Sequence, residues 1–348
     1  MSSSPHSEVK KEDTFAPGSF AVKLKWPLLG LIFVCISFIL SIGFGAIPIS
    51  FKVILDSFLS FQPDNMEHQL IREVRLPRAI TALLIGIALA AAGAIMQGIT
   101  RNPLADPSII GITHGAGLAI AIYLAVFSTG SYWVLLIWSF AGSAIAACIV
   151  LAFTVISKDR TSPVTLTLAG AALSMLFSAL STGIAIHYQL SQDLSFWFAG
   201  GLSGTKWMHV TILIPTVIIG LILSMWISRP LTILSMGEDV SSSLGQSNAK
   251  IRIIGLLAVI ILSGIAVSIA GMIGFLGLII PHIVRLLIGS DYRWIIPCSA
   301  ICGALLLIIS DIGARMVNPP FETPVSAITA ILGVPVFLYL SRQKRRSL

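Results

Sequence analysis

The residues able to do chemistry in this chain are few, and the most informative are arginines. Arg75, Leu76, Pro77 and Arg78 form one group, and Arg315 follows Asp311 by four residues, ahead of Asn318, Pro319 and Pro320. A guanidinium is a planar fork of donors that pairs bidentately with carboxylates, so Arg75, Arg78 and Arg315 could capture acids of an outside partner. The same groups could instead snorkel at an interface, or Arg315 could pair internally with Asp311 one helical turn away. Pro77 suits a first helical turn, where its missing N–H costs nothing, and it predicts a helix start with the two arginines at the water boundary.

A second stretch runs from Gly237 through Glu238, Asp239, Val240, Ser241, Ser242, Ser243 and Leu244 to Gly245. Two acids complement the positive end of a helix dipole, and a glycine past Leu244 can close the helix in the left-handed conformation. A short capped helix is predicted, either docking on a cytoplasmic partner or serving as a solvated connector. Thr167, Gly170, Ser174, Ser178 and Thr182 recur at helical spacing, which suits either a solute pathway or close helix contact. His114, His187 and His282 stand apart, with no cysteine or carboxylate cluster at ligand spacing, so they read as structural and no metal site is expected. No GxxxxGK[ST] loop occurs, nor a hydrolytic constellation, so neither enzymatic activity nor a cofactor is expected of this chain.

The elements that position these residues follow from composition. The chain has 348 residues, 56% of them hydrophobic and 11% charged, against about 25% charged in an ordinary soluble domain. A water-soluble globule is excluded. Residues 107–157, 161–192 and 253–284 carry no Asp, Glu, Lys or Arg. Since about 20 apolar residues cross a bilayer, the chain reads as an all-α, polytopic membrane protein. Ten spans are predicted near 27–47, 77–99, 112–128, 132–157, 163–187, 209–228, 251–270, 273–289, 294–314 and 324–341. Ser128–Ser131 splits one uncharged run, and Gly271, Gly274 and Gly277 divide another. Arg101 to Pro107, with two prolines, reads as a re-entrant or inner-surface segment, because irregular backbone at membrane depth needs protein or water around it.

Lys and Arg concentrate on one side of this arrangement, including Lys23, Lys25, Arg101, Lys158, Arg160, Arg229, Lys250, Arg252, Arg293 and Arg342, which puts both termini in the cytoplasm. Lys52, Arg72, Arg75, Arg78, Lys206 and Arg315 then fall outside. The net charge of +7 flanks apolar spans and forms no aromatic-interleaved patch, so nucleic acid is not an expected partner. Cys35, Cys148, Cys298 and Cys302 lie in apolar spans and read as small hydrophobes. Residues 1–25 read as a disordered tail, 26–342 as one ten-helix domain and 343–348 as a basic tail. An ion-coupled secondary transporter would share this composition, but it needs an intramembrane coupling site, for which only Asp311 and Asp106 are candidates.

Four stretches together resemble the FecCD-type permeases, membrane subunits of ATP-binding-cassette (ABC) importers for iron-siderophores, haem and cobalamin. They are RLPRAITALLIGIALAAAGAIMQGITRNPLADPSIIGITHGAG from Arg75, GEDVSSSLG from Gly237, GMIGFLGLIIPHIVRLLIGSDYR from Gly271, and the end from Asp311 through Glu322, Pro324, Gly333 and Pro335. The resemblance covers about 26–342. It implies ten helices, a multi-pass subunit of the cell membrane, a second permease subunit, two cytoplasmic ATPase subunits and an extracytoplasmic substrate-binding protein. It further implies that Arg75, Arg78 and Arg315 receive the binding protein's acids and that Gly237, Glu238, Asp239, Leu244 and Gly245 belong to the segment coupling to the ATPase. Ser174, Ser178, Ser326 and Thr329 would line the pathway. A ferric siderophore is the favoured cargo, with cobalamin and haem as alternatives.

Overall fold

The computed structural model describes residues 20–45, 47–127, 131–156 and 163–345. Most of the expected N-terminal tail, the turn centre Ser128–Gly130, Lys158, Arg160 and the last three residues lie outside that range. The described residues form helices and no strand. In chain order these are α1 (Phe20–Gly43), α2 (Phe51–Leu59), α3 (Met66–Gln69), α4 (Leu76–Thr100), α5 (Ile112–Val126), α6 (Tyr132–Ile156), α7 (Pro163–His187) and α8 (Ser191–Ala199). They continue with α9 (Trp207–Trp226), α10 (Ser228–Met236), α11 (Glu238–Ser243), α12 (Asn248–Ala270), α13 (Leu276–Ile288), α14 (Tyr292–Met316) and α15 (Val325–Arg345).

Every stretch expected to span coincides with a helix, but among the described residues seven are long and apolar enough to cross by length and composition. The described apolar stretches Ile112–Val126, Leu276–Ile288 and Val325–Leu338 are shorter. At 1.5 Å per residue, α13 reaches only about 20 Å, less than a hydrocarbon core of about 30 Å. The nine-residue helices α2 and α8 escaped the sequence reading because they fall far below the spanning length.

α4 is the axle of the bundle, packed against α14, α12, α9 and α13. Its Ala88, Ala90, Ala91, Ala92 and Ala94 are fully buried. Lipid solvates apolar side chains as well as protein does, so close backbone approach and dispersion hold such helices together. A Cβ on Gly86 would sit 2.5 Å from the Gly303 carbonyl oxygen of α14, and one on Gly93 would sit 2.1 Å from that of Gly277 in α13. By contrast, α1 turns Leu28, Leu31, Ile32, Phe33 and Ile36 outward, as a helix facing acyl chains should.

Pro77 stands in the first turn of α4, as expected, but that turn is not a free helix end. α3 runs into α4 through a π-helical turn, Leu70–Arg75, with the Leu76 N–H bonded to the Ile71 carbonyl five residues back. Proline next to such a turn leaves an N–H missing, and the Arg72 carbonyl, one π turn before Pro77, accepts the Trp207 indole N–H at 3.0 Å instead. The glycine-rich break appears as expected: α12 ends at Ala270 and Gly271 adopts φ +68°. A Cβ there would lie 2.1 Å from the Trp197 carbonyl oxygen, so glycine is needed for space as well as conformation.

Candidate functional site

Arg75, Arg78 and Arg315 come together at one end of the α4–α14 pair, from positions 240 residues apart in sequence. They are not presented to water: relative exposures are 6%, 7% and 7%. The expected boundary position is therefore corrected, because the helix begins ten residues earlier, at Met66, and carries Arg75 and Arg78 inside. Arg75 Nη1 donates to the Ile42 and Gly43 carbonyls at 2.7 and 2.9 Å, and Nη2 to that of Ile47, closing the end of α1. Arg315 Nη1 donates to the Ser41 and Phe44 carbonyls at 3.1 and 3.0 Å, and Nη2 to Ser41 Oγ at 2.8 Å. These bonds satisfy carbonyls that the last turn of α1 leaves without intrahelical partners.

Asp311, with no exposure, sits between two of the arginines. Arg78 approaches it through Nε at 2.9 Å and Nη2 at 2.8 Å, and Arg315 Nη2 reaches Oδ2 at 3.0 Å. The internal Asp311–Arg315 pairing thus exists, and it is shared with Arg78. Sequence reasoning missed the remaining member: Glu322, in the α14–α15 link, accepts Arg78 Nη1 at 2.5 Å. No local spacing could have found it, since 244 residues separate the pair. Three guanidinium groups and two carboxylates thus meet in one contiguous cluster, and Glu67 acts electrostatically on Arg75 from α3.

The opposite end of α4 carries the Gly237–Gly245 motif. Tyr292 at the start of α14 donates its N–H to Thr232 of α10 at 2.9 Å, and α10 leads directly into α11. α11 spans Glu238–Ser243, as expected, and Gly245 takes φ +77°, closing the turn with its N–H on the Ser242 carbonyl at 2.9 Å. Glu238 braces α11 against α12 through Arg252 Nη2 at 2.5 Å, and Asn248 Nδ2 donates to the Glu238 carbonyl at 3.3 Å. Asp239 is exposed, as are the apolar side chains of Val240 and Leu244, the latter 64%. α4 is about 37 Å long, so the two motifs lie a membrane thickness apart. Near this end Asp291 caps α14, and its hydrogen bonds from Arg293 hold its carboxyl below the usual carboxylate range.

The other expectations divide. Thr329 is buried and donates to the Ser326 carbonyl at 3.0 Å. Ser326 Oγ donates to the Ala199 carbonyl, tying α15 to α8. Ser174 and Ser178 are half-buried on α7, and a Cβ on Gly111 would lie 3.6 Å from Ser174 Oγ. The side chain of Thr167 lies outside the described residues. Asp106 caps the 3₁₀ turn Pro107–Ile110 by accepting the Ser108 N–H at 2.9 Å, giving the expected irregular segment its local support. His114 lies beside Phe198, and His187 stacks edge-on with Tyr188. No group of three metal-ligating side chains occurs among the described residues.

A polytopic helical bundle with a buried charged cluster at one end and a braced, partly apolar short helix at the other defines a membrane-embedded transport subunit. The FecCD transport family matches residues 32–343, and the chain belongs to that family. The iron(3+)-hydroxamate import system permease protein FhuB of Bacillus subtilis (strain 168) is 49% identical over 92% of this chain and 84% of its own length. The ferric enterobactin transport system permease protein FepD of Escherichia coli (strain K12) is 38% identical over 94% and 98%. A solved inward-facing structure, assigned to the metal-chelate type of ABC transporter, superposes with a TM-score of 0.81 at 30% identity, covering 92% of this chain and 99% of that one.

Proposed function

We propose that this chain is the permease subunit of an ATP-binding-cassette importer that moves a ferric siderophore, with a ferric hydroxamate first among candidates, into the cytoplasm. The observation that carries the reading is the 49% identity to an iron(3+)-hydroxamate permease across 92% of the chain. α5, α13 and α15 complete ten crossings with both termini inside, a topology supported by the bias of Lys and Arg. A second permease subunit and two cytoplasmic ATPase subunits complete the machine. The ATPases dock on α11, whose exposed Val240 and Leu244 fit an apolar cleft and whose Glu238–Arg252 brace passes motion to α12.

An extracytoplasmic binding protein docks at the Arg75–Arg78–Arg315 end, where Arg78 reaches the solvent-open Glu322. Its charges act mainly on encounter rate and salt sensitivity. ATP drives the cycle only through a difference in affinity between two states of the bundle, since equal affinity shifts nothing. Ser174, Ser178, Ser326 and Thr329 lie along the pathway in this reading. The test is accumulation of radioactive iron offered as a ferric hydroxamate, ferric citrate or a ferric catecholate to cells lacking this chain. Loss of one chelate's uptake, restored by the returned chain, is expected; undiminished uptake of all three refutes the assignment.

A further inference from the structure

One arm of the buried cluster is held differently from the rest. Arg75 and Arg315 give their donors largely to backbone carbonyls of the α1 end, which cannot leave without unwinding it. Asp311 has no exposure and is gripped from two sides. Only Arg78 Nη1 meets a group open to solvent, Glu322, whose side chain is 41% exposed. Glu322 lies three residues before Val325, the first residue of α15, on a link pinned by the Thr323 N–H to the Ala314 carbonyl at 3.1 Å. Beneath it is a cavity of about 440 Å³, lined by Arg78, Trp197, Leu202, Gly271, Glu322 and Val325. Trp197 Nε1, in the same cavity, is buried without a hydrogen-bond acceptor among the described residues.

We propose that the Arg78–Glu322 pair is a carboxylate-exchange latch. An acid of the docked binding protein replaces Glu322 on Arg78, and the freed Glu322 lets the start of α15 move off α14 and opens the cavity outward. The inference rests on the proposed function, which supplies the acidic partner. Exchange costs little because one carboxylate takes the place of another on Arg78, and because a half-exposed carboxylate gives up little on leaving. The released carboxylate also has a waiting donor in the Trp197 indole. Linkage makes the device reciprocal: if docking opens the latch, an open latch strengthens docking by the same factor.

The test uses the complete transporter reconstituted in sealed proteoliposomes, in a background without native cysteines. Leu202→Cys or Val325→Cys, at positions 0% and 1% exposed, reports cavity access through its rate of reaction with a membrane-impermeant cationic thiol reagent. The probe is the substrate-binding protein that supports wild-type uptake. It is expected to raise the wild-type rate about 5- to 10-fold, whereas Glu322→Gln raises it without the protein and binds the protein tighter by a similar factor. Two reporters guard against misfolding of either one. A Glu322→Gln rate equal to wild type, or equal acceleration of both by the binding protein, overturns the latch. Ferric-chelate uptake in the same preparation separates the two ideas: its absence in wild type overturns the proposed function, and normal uptake with an unresponsive Glu322→Gln overturns the latch alone.

Discussion

Asp311→Asn isolates the charge at the centre of the buried cluster while keeping the side-chain shape. The native carboxylate is fully buried and neutralises Arg78 and Arg315 at 2.8 and 3.0 Å. Removing one member of a buried pair costs about 3–5 kcal/mol, because the partner's charge stays desolvated. Arg78 keeps Glu322, and Arg315 keeps the Ser41 and Phe44 carbonyls, which places the loss near the lower end, about 3 kcal/mol. At about 2–4 °C per kcal/mol, with the smaller value suiting a long chain, the apparent melting midpoint falls by about 6–12 °C. The assay is size-exclusion recovery after heating in detergent at one fixed heating protocol, since such unfolding is irreversible. Glu322→Gln, at the exposed end of the same cluster, costs no more than about 1 kcal/mol and about 2 °C. A midpoint for Asp311→Asn within about 2 °C of wild type, or an equal loss from Glu322→Gln, refutes the argument that burial governs the cost.

Gly93→Ala drives a Cβ to 2.1 Å from a backbone oxygen, which no rotamer change relieves, so the melting midpoint and monodisperse yield both fall, whereas Gly183→Ala, with nothing within 4 Å, shifts the midpoint by less than about 2 °C. Equal behaviour of the two would count against the helix spacing described. Asp291→Ala costs about 1 kcal/mol at neutral pH through loss of the α14 cap. Because the folded pKa is depressed, that contribution is present above the usual carboxylate pKa and is lost as pH falls through the lowered value, so the wild-type and variant midpoints converge at about pH 3 and below. A gap that widens with acid would contradict the sign. Glu238→Lys sets two cations against each other where α11 meets α12, and it is expected to raise the ATP hydrolysed per iron imported several-fold in proteoliposomes; an unchanged ratio argues against α11 as the coupling element.

Much of this architecture was legible along the chain. Hydropathy located every long helix because crossing length and apolar content are linear properties, and Gly271 and the Gly237–Gly245 caps announced themselves by positions where only glycine fits. Helix rotation was not legible. Lipid-facing and protein-facing side chains of a spanning helix are both apolar, so the periodicity that marks the buried face of a soluble helix is weak here. The direction of Arg75 and Arg78 was hidden for that reason, as was the π turn of Leu70–Arg75, whose Arg72 carbonyl accepts the indole N–H of Trp207, 135 residues away.

The sequence by itself determined a membrane-spanning, all-helical chain, the positions of its apolar helices and the short capped α11, since each depends on residues near in sequence. Only the tertiary structure decided that Arg75, Arg78 and Arg315 are a buried cluster and not an exposed rim, and that Glu322 completes it. The physical reason is that a guanidinium's partner is set by the rotation and register of helices packed in three dimensions. Asp311 and Glu322 reach Arg78 across 233 and 244 residues, distances over which no local pattern carries information.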